Sequence, residues 1–381
     1  MPVWWSIFAY MIFISAVGMM FYKSKKEQRA ALMSATTGES IPEDTKTIGL
    51  FFAFLSFALL VFFVGQRSWI SDTTIYQAQY DENSGNLSQI GDMLFNLDYK
   101  GSMFYILMVL FKHFINGTYN DWFTFLAAIQ SIPIILLFYK YSINYLYSVF
   151  LFISGSSLIW YTNGIRQFLA AALVLLFANN LINRKSLRFF IVVFFAFFIH
   201  SSAIFWIPVY YIVNYKPWSK KFIVYSIILA VALFLYSRSS YLSDTEYSYL
   251  TSGQYTFEGV NPLRVIVMSI PAILAFTQRV KIKGKTNPYI DLCINLSVIT
   301  AECYIVGMFT SGIVGRMPLY FQFFGFILLP WLIKNGFEED MGKTINIVLI
   351  VMYFAYFYYE MVINGSGVYV SDSLNIFYWT T

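Results

Sequence analysis

The stretch RFFIVVFFAFFIHSSAIFWIPVYYIV, residues 188–213, decides the class of this chain. Two apolar runs of about a dozen residues flank His200-Ser201-Ser202, and a full membrane crossing takes roughly twenty. The segment therefore reads as a short hairpin whose polar tip ends beneath the outer membrane surface. Irregular polar backbone at that depth is tolerated only where it lines a cavity within the protein.

The rest of the chain agrees. Hydrophobic residues make up 58%, aromatic residues 21% and charged residues 12% of 381 positions. A soluble protein could not hide that much apolar surface, so the sequence predicts an all-α, polytopic integral membrane protein. The 40 Phe, 30 Tyr and 9 Trp suit lipid-facing surfaces and interfacial belts. A net charge of +5 reflects lysines of inner loops and does not point to nucleic acid. Cys293 and Cys303 lie ten residues apart on one expected helix, roughly 15 Å by helical rise, too far to bridge. The first apolar segment has no basic n-region and no small-residue cleavage site, and reads as a retained span.

About thirteen apolar segments follow one another. Their approximate limits are 3–21, 48–64, 101–116, 121–138, 145–161, 165–182, 188–200, 203–214, 221–236, 264–279, 289–309, 317–333 and 344–361. Together they form one multi-span domain, 1–381, of about twelve transmembrane helices plus re-entrant or short segments. Lysine-rich loops set the cytoplasmic side. Residues 23–46, Arg184-Lys185, Lys216 to Lys221 and Arg279 to Lys285 are inside by this rule. Counting forward from Lys46 and backward from Arg184 then puts Arg166 on opposite sides. One segment must fail to cross, either 101–116, interrupted by Lys112 and His113, or 121–138, interrupted by Pro133. Two long outer loops remain, 65–100 and 237–263, both rich in tyrosine and acids.

Five of the nine arginines break the charge rule. Arg67, Arg166, Arg238, Arg264 and Arg316 lie beside apolar segments at outer ends. The bland reading is snorkelling to lipid headgroups; the functional one is a planar, bidentate grip on phosphate. Arg238, in a polar loop, fits the bland reading.

Several motifs stand in a fixed order. Arg67-x4-Asp72-x3-Tyr76 follows the second span, and Asn163-Gly164-Ile165-Arg166-Gln167 opens a small-residue helix. His200-Ser201-Ser202-Ala203 comes next, then Gly315-Arg316 with Tyr320-Phe321 and Leu329-Pro330. In this order the chain resembles the EpsG family of Wzy-like polymerases of exopolysaccharide and capsule. The resemblance implies a multi-pass protein of the bacterial cytoplasmic membrane, with a fold like that of lipid-dependent (GT-C-like) glycosyltransferases. It implies polymerisation of polyprenyl-diphosphate-linked oligosaccharide repeat units at the outer face. A flippase and a chain-length regulator of the same pathway are the implied partners, besides membrane lipid.

That chemistry assigns expected roles. A departing diphosphate gathers negative charge and needs preorganised cations; an attacking sugar hydroxyl needs a base. Arg166, at the start of a helix, and Arg316, just before one, are the first choices for diphosphate. Arg264 is a third, with Arg67, Tyr76 and Gln167 as further substrate-binding residues. His200 is either a general base, a donor to the diphosphate or a buried neutral imidazole held by its serines. Asp72 is the rival base or the ion-pair partner of Arg67. Glu302, about 10 Å inside a helix by helical rise, is a third acid–base candidate or the partner of an outer arginine. His113 reads as structural. No metal-ligand spacing and no nucleotide loop occurs, so no cofactor is expected. A lipid-linked oligosaccharide flippase, a glycan ligase and a membrane O-acyltransferase are the competing readings. A flippase should show two-fold internal repetition, which is absent here.

Overall fold

The computed structural model describes residues 2–33, 43–70, 72–95, 101–155, 157–238, 259–310 and 314–378. Helices dominate, as the apolar pattern requires. Among the described residues five are long and apolar enough to cross a membrane: Val3–Phe21, Tyr119–Tyr141, Lys220–Ser237, Pro288–Phe309 and Glu339–Ile363. A sixth candidate is a bent pair, Val314–Tyr320 with Gln322–Gly336, which turns by 62°. Seven shorter apolar helices accompany them.

Many helix starts are written in the local sequence. Thr118 and Asp121 form a capping box, each side chain bonding the other's backbone N–H. Asn144, Ser219 and Asn287 each accept a backbone N–H from three residues on, and Asn261 accepts one from two residues on. Pro262 and Pro288 stand in the first turn, where a missing N–H costs nothing. Two expected spans are divided. Residues 145–161 become Tyr145–Ser154 and Ser157–Thr162, and residues 165–182 become Ile165–Leu176 and Ala178–Ile182.

The two ends of the bundle can be told apart along single helices. Gly49 and Gly65 lie sixteen residues apart on one helix, roughly 24 Å by rise. Gly49 shares a cavity with Tyr139, Lys140 and Ser142. Gly65 sits against Thr124, near the start of the helix that ends at Tyr141. Helix Tyr119–Tyr141 therefore runs from the Gly65 end to the Gly49 end. Helix Ser102–Ile115 behaves differently, because both of its ends meet residues assigned to the outside. Its cap Gly101 touches Arg166 and the Ile199 carbonyl. Near its other end, Lys112 Nζ donates to the Tyr80 carbonyl at 2.7 Å and His113 bonds the Gly85 carbonyl at 3.0 Å. Tyr80, Phe104, Phe111 and Trp122 pack ring to ring and fix this helix against its neighbours. With sides assigned from the lysine loops, both ends of segment 101–116 fall on one side, the choice that satisfies the parity count.

The outer segment 65–100 is not a plain loop: it holds helices Thr73–Glu82 and Gln89–Phe95. Most of the other expected outer loop, residues 239–258, lies outside the described residues, as do Asp98, Lys100 and Ser311–Ile313. The chain also departs from all-α at its end. Tyr369–Ser371 and Ile376–Tyr378 form an antiparallel strand pair, and Val370 bridges to Trp69.

Gly65 marks the closest approach of two helices at the outer end. A Cβ added there would lie 2.0 Å from Thr124 Oγ1 and 2.7 Å from Thr124 Cα, a clash with backbone that no rotamer relieves. Gly65→Val is expected to lower stability by about 1–3 kcal/mol, as overpacking does. A fall of several degrees in the melting temperature of the detergent-solubilised protein would register it; an unchanged melting curve would refute the close approach.

Candidate functional site

Arg67 lies at the base of the outer end. It is 2% exposed, donates to Thr73 Oγ1 at 3.1 Å and to the Val64 carbonyl, and stacks over Phe123. Burial lowers its pKa to about 10, and the nearby Tyr161, Tyr369, Asp72 and Tyr76 oppose the shift, so it stays cationic at neutral pH. The C-terminal strand pair covers this turn. Ser68 N–H donates to the Val370 carbonyl at 2.9 Å, Asp372 N–H to Ser68 Oγ at 2.8 Å, and Tyr369 to the Phe63 carbonyl at 2.7 Å. Expected among the substrate-binding residues, Arg67 instead sits under the surface and holds the start of the Asp72 helix.

Asp72 stands at the N-cap position of Thr73–Glu82 but caps nothing in its own helix. Its Oδ2 accepts the Gly164 N–H at 3.3 Å, ninety-two residues away in sequence. Gly164 has a positive φ of 71°, a left-handed conformation glycine adopts without strain, and it opens the helix carrying Arg166 and Gln167. Tyr76, one turn after Asp72, hydrogen-bonds Arg166 and packs edge-on against Phe104. Burial raises the Tyr76 phenol, although Arg166 opposes the rise, so it remains a neutral partner for the guanidinium. Gly101, also left-handed at φ 80°, leaves room for Arg166: an added Cβ would meet its Nη1 at 2.7 Å. Arg166 also reaches toward the Tyr105 ring, 6.0 Å from its centroid.

Gln167 extends the site. Buried beside Arg166, it donates through Nε2 to the Arg316 backbone carbonyl at 3.2 Å. The Arg316 guanidinium carbon lies 5.3 Å from the centre of the Trp160 ring, and that of Arg264 lies 5.7 Å from the same ring. Cations over an indole face gain from its quadrupole. Trp160 thus joins two outer arginines that are 52 residues apart in sequence, and nothing in its local sequence singled it out.

Arg264 is already occupied. It makes a two-pronged pair with Glu360, with Nη2 3.0 and 3.1 Å from the two carboxylate oxygens and Nε 3.2 Å from Oε1. Tyr356 donates to Glu360 Oε1 at 2.5 Å, and Asn364 donates to Oε2 at 3.1 Å. Neither lipid headgroup nor substrate is needed to satisfy this arginine. Glu360→Gln is expected to destabilise by about 3–5 kcal/mol, because it leaves a buried guanidinium unneutralised. The check is thermal unfolding; a variant as stable as the parent would show that the pair does not hold the outer end together.

His200 ends helix Ser186–Ile199 in an extended conformation and caps the 3-10 turn Ser201–Phe205. Its Nδ1 accepts the Ser202 N–H at 3.3 Å and lies 2.7 Å from Ser202 Oγ, which in turn is 2.9 Å from Tyr320 Oη. A ring nitrogen that accepts a backbone N–H carries no proton, which places a ring hydrogen on Nε2. Tyr320 lies one turn after Arg316 on the Val314–Tyr320 element, so the histidine relay and the second arginine share a support. Gly315, just before Arg316, is packed so tightly that an added Cβ would lie 2.2 Å from Val260 Cγ2.

Glu302 has a different setting. Its bonded neighbour is Ser226 of helix Lys220–Ser237, and its Oε2 is buried without a hydrogen-bond partner. Among the described residues it forms no ion pair, so the expected arginine partner is not there. His113 is the structural pin described above, and Arg238 lies over its own helix's Phe234. Among the described residues no three His, Cys, Asp or Glu side chains gather to hold a metal.

The site therefore brings together Asp72, Tyr76, Arg166, Gln167, Arg316, His200 and Trp160, drawn from five separate elements. A multi-pass helical membrane protein with a cationic, aromatic-lined polar site at one end of its bundle is the class defined by this arrangement. The chain belongs to the EpsG family, whose model matches residues 50–373. No curated protein and no solved structure matches it. Family membership points to exopolysaccharide polymerisation at a membrane.

Proposed function

We propose that this chain is a polymerase of polyprenyl-diphosphate-linked oligosaccharide repeat units, acting at the outer face of the bacterial cytoplasmic membrane. The observation that carries the reading is the linkage of Arg166 and Arg316 through Gln167, with Asp72 tied to the glycine that opens the Arg166 helix. Cations for a leaving diphosphate and a carboxylate for an acceptor hydroxyl then share one site.

Asp72 takes the proton from the acceptor sugar hydroxyl as its oxygen attacks the anomeric carbon of the donor. The bond between that carbon and the diphosphate oxygen breaks, and the electron pair leaves with the lipid diphosphate. Arg166 and Arg316 meet the growing charge, and the Ile165–Leu176 helix directs its first-turn amides the same way. His200 serves as a further donor to the diphosphate rather than as the base, which divides the two roles between His200 and Asp72. An apolar furrow of about 450 Å³, lined by Phe194, Phe197, Phe198, Ile204, Ile207 and Tyr211, runs along the hairpin below His200 and suits an isoprenoid chain. Twelve crossings with Ser102–Ile115 as the returning helix, in the manner of GT-C-like glycosyltransferases, complete the proposal.

A flippase would also bind diphosphate through arginines but would need no base. Proteoliposomes carrying the lipid-linked repeat unit in one leaflet separate the two. Growth of glycan only from donor in the outer-facing leaflet supports the polymerase. Passage of intact donor between leaflets with no chain growth would sink it.

A further inference from the structure

The bundle's other end holds a cavity that the outer chemistry does not use. It has a volume of about 490 Å³, within the range of small-molecule sites. Ser15 and Gly18 of the first helix line it, with Gly49 and Ala53 of the second, and Lys140 and Ser142 at the end of Tyr119–Tyr141. Its place at the Gly49 end of the bundle is the cytoplasmic side by the lysine rule.

Three features select an anion. Among the described residues of the lining Lys140 is the one charged side chain, and no acid accompanies it there. Ile143 and Tyr145, also in the lining, flank the N-cap Asn144 of helix Tyr145–Ser154, whose N-terminal amides carry positive potential. Ser15 is 2% exposed, and its hydroxyl has no hydrogen-bond partner within the protein. A buried hydroxyl left without a partner costs about 1–3 kcal/mol, and a phosphate oxygen reaching it would remove that cost. The surrounding walls, Met19, Phe52 and Ile143, are apolar.

We infer that this cavity is a binding site for the phosphodiester headgroup of an anionic phospholipid from the inner leaflet. Lys140 pairs with the phosphate, Ser15 donates to it, and the acyl chains leave along the apolar wall of Met19, Phe52 and Ile143. Basic pockets between membrane helices on the cytoplasmic side are suited to such headgroups. The assignment does not rest on the polymerase reading, since neither Lys140 nor Ser15 belongs to the outer site.

Native mass spectrometry of the purified protein, titrated with short-chain phosphatidylglycerol, phosphatidylcholine of the same chains, or inorganic phosphate, provides the test. Phosphatidylglycerol should bind more tightly than the other two. Lys140→Gln should weaken it about tenfold, the loss of one charge-assisted bond, and Lys140→Arg should retain it. Ser15→Ala should weaken it by a smaller factor. Lys140 is exposed, so its variants are expected to fold. Equal binding of the two lipids, or a Lys140→Gln variant that binds as before, would overturn the inference. Inorganic phosphate matching phosphatidylglycerol would assign the cavity to a soluble anion and overturn the lipid headgroup.

Discussion

Arg166→Ala is expected to lower the rate of polymerisation by about a hundred- to a thousandfold, the usual loss when one preorganised donor to a developing charge is removed. Its surroundings hold the side chain in place. Tyr76 bonds it, Gly101 makes room for it, and Gly164 begins its helix in a conformation that places it at the outer end. The loss should fall on kcat more than on KM, because charge on the diphosphate grows as the sugar–oxygen bond breaks. Arg166→Lys should recover only part of it, since an ammonium cannot reproduce a planar fork across two phosphate oxygens. Steady-state rates with purified protein decide this. An alanine variant with full activity would remove Arg166 from the diphosphate site.

Asp72→Asn carries the second large effect, about a hundred- to ten-thousandfold in kcat, as expected for removal of a general base. The amide keeps the size of the carboxyl and an oxygen for the Gly164 N–H, so the fold and donor binding should survive. His200→Gln serves as the contrast, because it retains an N–H donor and should cost far less. If Asp72→Asn turns over normally while His200→Gln is inactive, the base is His200 and the two roles are reversed. Lipid-donor binding, measured alongside, separates loss of chemistry from loss of affinity.

Legibility in the sequence followed the range of each interaction. Arg166 and Arg316 stood out because charge sorting is local: an outer arginine is anomalous against the lysine loops on either side. The helix starts at Thr118, Asn144, Asn261 and Asn287 were likewise local, each written within three residues. The fate of Arg264 was not, because its partner Glu360 lies 96 residues away at the end of the last long helix. Arg67 looked like a residue of an open outer loop, since Gln66 and Ser68 flank it. The strands that cover it come from the opposite end of the chain. Trp160 gave no signal among nine tryptophans in a sequence where aromatics are common. Charge counting could show that one segment between 101 and 161 turns back, but not which one. Contacts at both ends of Ser102–Ile115 favour that helix.

The expected thirteen segments overstated the regularity of the helices for a related reason. Hydropathy averages over breaks, so 145–161 and 165–182 each looked continuous where the backbone divides them in two. The candidate site residues fall instead at the boundaries between segments: Gly164 and Arg166 open a helix, His200 ends a short one, and Arg316 lies in a 3-10 turn before a bend of 62°. Irregular backbone in a membrane bundle is affordable where it lines a polar site.

The most direct measurement of the central claim uses the purified protein with one defined substrate, a polyprenyl-diphosphate-linked single repeat unit, and no added nucleotide. Products are resolved by mass. A ladder of two, three and more repeat units on the lipid, with one polyprenyl diphosphate released for each new linkage and none formed by Arg166→Ala, is the predicted result. Donor recovered intact from wild-type protein that binds it would contradict the polymerase assignment.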